Sequence, residues 1–121
     1  MDIVSRIFVV LVALEFFYIA YLEIVATSSE TSAKVFDMPR SELERHSVSV
    51  LFKNQGVYNG LIAVLLLVNL CILGSRIGVI LLLGYIIAVA IYGSLTSNPK
   101  IILMQGGLAI ISLILVGVFG I

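Results

Sequence analysis

Two carboxylates stand where an apolar run would ordinarily carry none. Glu15 and Glu23 interrupt a stretch over residues 7–26 that is otherwise almost entirely aliphatic and aromatic. In such a setting a carboxyl can serve as a general acid or base, hold a proton, or bind a cation. At 100° per residue the two lie about 80° apart around a helix, so they can share one inward sector. Gln55 and Asn59 repeat at a spacing of four, as do Tyr92 and Thr96, and each pair falls on one helix face. Tyr18, Tyr58 and Gln105 complete the polar set. The candidate ligand-binding residues are therefore Glu15, Tyr18, Glu23, Gln55, Tyr58, Asn59, Tyr92, Thr96 and Gln105. One Cys and one His cannot build a disulfide framework or a zinc site, so neither metal nor cofactor is expected. A nucleophilic Ser motif and a phosphate-cradling Gly loop are both missing.

The elements that position these residues follow from composition. The chain has 121 residues, 61% hydrophobic and 12% charged. Soluble domains carry about twice that charge, which excludes a water-soluble globule. Seven Lys and Arg balance seven Asp and Glu, leaving no basic surface for a nucleic acid. A membrane-spanning helix needs about 20 mostly apolar residues. Four stretches qualify, near residues 7–26, 56–73, 77–95 and 101–121. Inside lipid each must be a helix, because backbone groups have no water to bond. The expected fold is an all-α integral membrane protein, a four-transmembrane-helix bundle in one domain. The first stretch has features of a signal peptide in Arg6 and its apolar run, but Glu15, Glu23 and the lack of a small-x-small site favour a retained helix.

The connections are uneven. Gly74-Ser75-Arg76 predicts a tight hairpin between helices two and three, and Thr96 to Lys100, with Pro99, a second tight turn. The long connection is the first. Ser41 and Glu44 form a capping-box pattern there, so the second helix is expected to extend over about residues 42–73, roughly 48 Å. Residues 28–36 read as a short amphipathic piece at the membrane interface, with Val35, Phe36 and Met38 as its apolar side. Lys34, Arg40, Arg45, Lys53 and Lys100 lie on one side of the membrane, Arg6 and Arg76 on the other. This bias places the long connection in the cytoplasm and the termini outside the cell membrane.

Depth ties the polar residues together. Glu23, Asn59, Tyr92 and Gln105 each fall roughly 4–9 Å inside the long-connection boundary, counted at 1.5 Å per residue. Glu15, Tyr85 and Ser112 lie deeper. An ionised side chain near the midplane costs about 2.5–3.5 kcal/mol on insertion scales, so Glu15 calls for protonation or a polar partner. The expectation is a polar pocket open toward the long connection, with Glu15 as its floor. Plainer readings stand beside it. Asn69, Tyr85 and Ser112 suit interhelical hydrogen bonds, worth about 0.6 kcal/mol each. Gly56 and Gly60 suit a close-packing face. Glu23 could pair with Lys53 or reach toward the interface. Cys71 reads as a small buried hydrophobe, and His46 as a solvated interfacial residue.

These motifs resemble a bacterial family of small four-span membrane proteins, catalogued as domain of unknown function 1304. The resemblance rests on Val12-Ala13-Leu14-Glu15, Tyr18-Ile19, Tyr21-Leu22-Glu23 and Lys34-Val35-Phe36. It rests most on Asn54-Gln55-Gly56-Val57-Tyr58-Asn59-Gly60, and then on Tyr92 to Thr96 and Gln105-Gly106. Phe16 stands where the family often has His, which removes a proton shuttle beside Glu15. Gly107-Leu108 stand where it often has Pro after the Gln-Gly. The resemblance implies four helices and a membrane location, and no activity.

Three functions compete. The first is binding or transport of a small polar or amphipathic ligand, possible in a proton-linked form and, for a carrier, calling for a homodimer. The second is a membrane-embedded enzyme using Glu15 or Glu23 as general acid or base on a lipid-like substrate, oriented by Tyr58, Tyr92, Asn59 and Gln105. The third is a structural or accessory membrane subunit. No inverted repeat supports secondary transport.

Overall fold

The computed structural model describes residues 1–97 and 101–119, and the described residues are helical with turns between. The first helix, α1, spans Ile3–Ile24. The long connection folds into α2 (Glu30–Phe36) and α3 (Arg40–Leu43). Helix α4 runs His46–Leu67 and continues as a π-turn over Val68–Ile72. Helix α5 spans Arg76–Thr96. The final segment comprises α6 (Ile101–Met104) and α7 (Gly107–Ile114), the latter continuing as a π-turn over Leu115–Phe119. Three helices are long and apolar enough to cross a membrane: α1 with 22 residues, His46–Ile72 with 27 and α5 with 21. The apolar helix Gly107–Phe119 is shorter. The expected single helix over 101–121 is thus interrupted at Gln105-Gly106. Adjacent glycines lower helix propensity by roughly 1 kcal/mol each and allow a kink there. Residues 98–100 of the expected second turn, and 120–121 of the last span, lie outside the described residues.

The chain divides into two compact units: Met1–Ala13 with Val64–Ile121, and Leu14–Ala63. In the Leu14–Ala63 unit, α1 ends earlier than residue 26 because hydroxyls take over its last carbonyls. Thr27 Oγ1 donates to the Glu23 carbonyl at 2.7 Å, and Ser32 Oγ to those of Ala26 and Leu22 at 2.6 and 3.1 Å. Ser29 caps α2 by accepting the Ser32 N–H, and Asp37 closes that helix in the left-handed region with φ 54°. Phe36 meets Phe52 edge-on, ring centroids 5.1 Å apart. The expected start of the second helix at 42 is corrected. A turn at Glu44 and Arg45 separates α3 from α4, and Ser41 lies inside α3 instead of capping a longer helix. The turn leaves Leu43 with no exposed surface, and that burial outweighs a local capping pattern. The resulting helix through Ile72 is about 40 Å long at 1.5 Å per residue.

In the other unit, α5 buries Val79, Leu83, Ile86 and Ala90, spaced four, three and four apart like a helix-packing seam. Its other faces leave Ile77, Leu81, Val89 and Leu95 exposed, a surface suited to acyl chains. The predicted hairpin turn forms. Gly74 takes φ +57°, and Ser75 Oγ accepts the Gly78 N–H at 3.0 Å to cap α5. Arg76 donates through Nε to the Val116 carbonyl and through a terminal nitrogen to that of Gly117, both at 3.0 Å. This cation therefore caps the negative end of the last helix. Cys71 is exposed, contrary to expectation. It lies in the π-turn, whose extra residue per turn shifts the inward face to Leu70, which is buried.

Candidate functional site

The site is built by α1 and α4 within the Leu14–Ala63 unit. Its centre is Glu23, near the C-terminal end of α1, with no exposed surface. Opposite it stands Gly56. A Cβ there would come within 2.5 Å of Ile24 Cγ1 and 3.0 Å of Glu23 Cβ, so only glycine permits this approach. One turn further, Gly60 faces Ala20, where a Cβ would sit at an ordinary 3.5 Å. The Gly-x-x-x-Gly thus acts as the close-packing face expected of it. Gln55 and Asn59 stand four residues apart and straddle the approach. Gln55 Nε2 donates to Glu23 Oε2 at 2.7 Å, and Asn59 Nδ2 to Oε1 at 2.6 Å. Both carboxyl oxygens are therefore engaged, each by a short hydrogen bond.

Among the described residues no cation pairs with Glu23; the ion pair there is joins Arg45 to Glu42. Lys53 does not take the partner role considered for it. It precedes Gln55 by two residues, about 200° around α4, and is exposed. Nor does Glu23 reach out to the interface, since it is fully buried. The hydroxyls of Thr27 and Ser32 cap the carbonyls of the same helix end. These two were not foreseen as parts of the site. The signal was Ser and Thr placed just beyond a helix terminus, a position where they commonly bond backbone groups.

Of the nine candidate residues, Glu23, Gln55 and Asn59 form this hydrogen-bonded cluster. Glu15 lies in the same unit, half-buried, and its Oε1 is buried without a hydrogen-bond partner. Tyr18 and Tyr58 are exposed and make no bond to the cluster. Tyr92, Thr96 and Gln105 belong to the other unit. There Thr96 Oγ1 donates to the Tyr92 carbonyl at 2.8 Å, a bond within its own helix. Among the described residues no group of three or more His, Cys, Asp or Glu could hold a metal ion.

These features define an all-helical protein with several apolar helices of membrane-spanning length, one of which holds a buried carboxyl of another with two side-chain amides. A family described as "Protein of unknown function (DUF1304)" matches residues 10–117, which include all nine candidate residues. The chain belongs to this family. It is 59% identical over 115 residues to the "Uncharacterized protein YpaA" of Lactococcus lactis subsp. lactis (strain IL1403), covering 94% of this chain and 97% of that one. No solved structure matches the chain.

Proposed function

We propose that this protein is a four-helix, four-span component of the cell membrane that binds a small polar or amphipathic ligand at the Glu23 cluster. The observation carrying this reading is a fully buried carboxyl held by two amides, with no cation on it among the described residues. A buried charge without a counter-charge is costly, and a protein that needed only packing would do better with an apolar pair. The long connection is assigned to the cytoplasm from its Lys and Arg excess. Transport through the same site would be proton-linked and would require a second copy of the chain, since one copy offers little enclosed pathway.

The test is native mass spectrometry of the full chain extracted from its own membranes. A small-molecule adduct is expected on the wild type and expected to be lost in Glu23→Gln, which keeps the side-chain shape. Adduct-free wild type, or an adduct retained by the folded variant, would overturn the proposal.

A further inference from the structure

We infer that the ligand of the Glu23 cluster is a cation that donates hydrogen bonds, a primary or secondary ammonium group. This rests on the reading of the cluster as a binding site and names the chemistry the site selects. Both Glu23 oxygens accept, one from the Gln55 NH₂ and one from the Asn59 NH₂. Each planar amide then directs its carbonyl oxygen elsewhere. Gln55 Oε1 and Asn59 Oδ1 accept no hydrogen bond among the described residues, and Gln55 is exposed while Asn59 is half-buried. The cluster therefore offers two acceptors at its surface, backed by a negative charge.

The backbone adds to the same polarity. Glu23 is the penultimate residue of α1, where the helix dipole is negative, and the last turn holds no basic residue. Thr27 and Ser32 satisfy carbonyls there but bring no charge. The last helix shows the alternative, with the Arg76 guanidinium on its terminal carbonyls. An anion would meet repulsion from the Glu23 carboxylate, from the outward amide oxygens and from the negative end of the α1 dipole. A neutral donor would leave the carboxylate uncompensated. A divalent ion would want six or more oxygens and several carboxylates, against one carboxylate and two amides here. An ammonium group supplies the missing charge together with N–H donors for the amide oxygens.

The experiment measures thermal unfolding of the full chain in detergent with n-butylammonium, butyltrimethylammonium or butan-1-ol at equal concentration. Butylammonium is expected to raise Tm by about 4–5 °C at roughly ten times its Kd, and the other two to leave it unmoved. The rise is expected to vanish in Glu23→Gln and to shrink in Gln55→Met, a surface change that keeps decision power if the first variant unfolds. An equal, Glu23-dependent rise with butan-1-ol or the trimethyl compound would overturn the ammonium inference while leaving a binding site in place. A butylammonium rise undiminished in both variants would overturn the inference. Failure of all three probes on a wild type that carries a native adduct would overturn the ammonium inference alone. Failure on a wild type without an adduct would remove both.

Discussion

Glu23 and Glu15 sit on one helix, about 12 Å apart along its axis, in opposite circumstances. Glu23 is fully buried and both its oxygens accept amide N–H groups. Glu15 is half-buried, and its Oε1 is enclosed with no partner. What differs is what each carboxyl finds to bond. At Glu23, Gly56 brings α4 close and places amides on either side. Beyond Gly60 the same unit continues along α4 only with Leu61, Ile62 and Ala63, none of which carries a side-chain donor. A carboxyl in an apolar helix is thus well housed only where a neighbouring helix provides both proximity and donors.

The sharpest way to break this contrast is to replace each acid by leucine. Glu23→Leu leaves two amides without their acceptor and is expected to cost about 2–3 kcal/mol of unfolding free energy, discounted for the exposure of Gln55. Glu15→Leu removes an unpartnered oxygen and is expected to stabilise by about 1 kcal/mol. Denaturant titration in mixed micelles reads both. Changes of the same sign would mean that the two acids are not housed differently.

The proximity half of the contrast is tested at the two glycines. Gly56→Ala forces its methyl against Ile24 and Glu23 and is expected to cost about 1–3 kcal/mol. Gly60→Ala meets only Ala20 at ordinary contact distance and is expected to stay within about 0.5 kcal/mol. Equal costs, read by the same titration, would show that Gly56 does not set the helix approach.

How much of this was legible in the sequence depends on how local each cause is. Apolar runs announced the long helices, and Gln55 with Asn59 announced one face of α4 through their spacing. Which acid that face meets was not legible. The answer depends on the rotation of α1 against α4, fixed by the contact at Gly56, and spacing along one helix is silent on it. Glu15 drew attention by its depth, while the partners belong to Glu23. The Ser41–Glu44 pattern misled because a local cap competes with burial of Leu43, a non-local effect. Gly106-Gly107 was a readable breaker, but the strong hydrophobicity on either side of it over 101–121 masked it.

Two helix ends extend the contrast from side chains to dipoles. The last helix ends on Arg76, whereas α1 ends beside Glu23 with neutral hydroxyls. Arg76→Gln is expected to lose about 1–2 kcal/mol and to raise amide exchange through Val116 and Phe119, while leaving α1 unchanged. Exchange measured by mass spectrometry checks this. Unaltered protection at that terminus would mean the guanidinium is not what closes it.

The smallest effect concerns the third acid associated with α1. Asp2 precedes the helix and accepts the Ser5 backbone N–H at 2.8 Å, which holds its carboxyl below the ordinary value of 3.8. The carboxylate lies at the positive end of the dipole, where Glu23 lies at the negative one. A lowered value in the folded chain means that the cap contributes fully above 3.8 and is lost as pH falls through the depressed value. Protection of the Ser5 amide, followed by NMR, is therefore expected to persist at mildly acidic pH and to fall only in stronger acid. In Asp2→Ala that protection is expected to be low at every pH. Ser5 protection that ignores both pH and the substitution would show that the dipole and cap contribute nothing at this end, and would weaken the same electrostatic reasoning at the other.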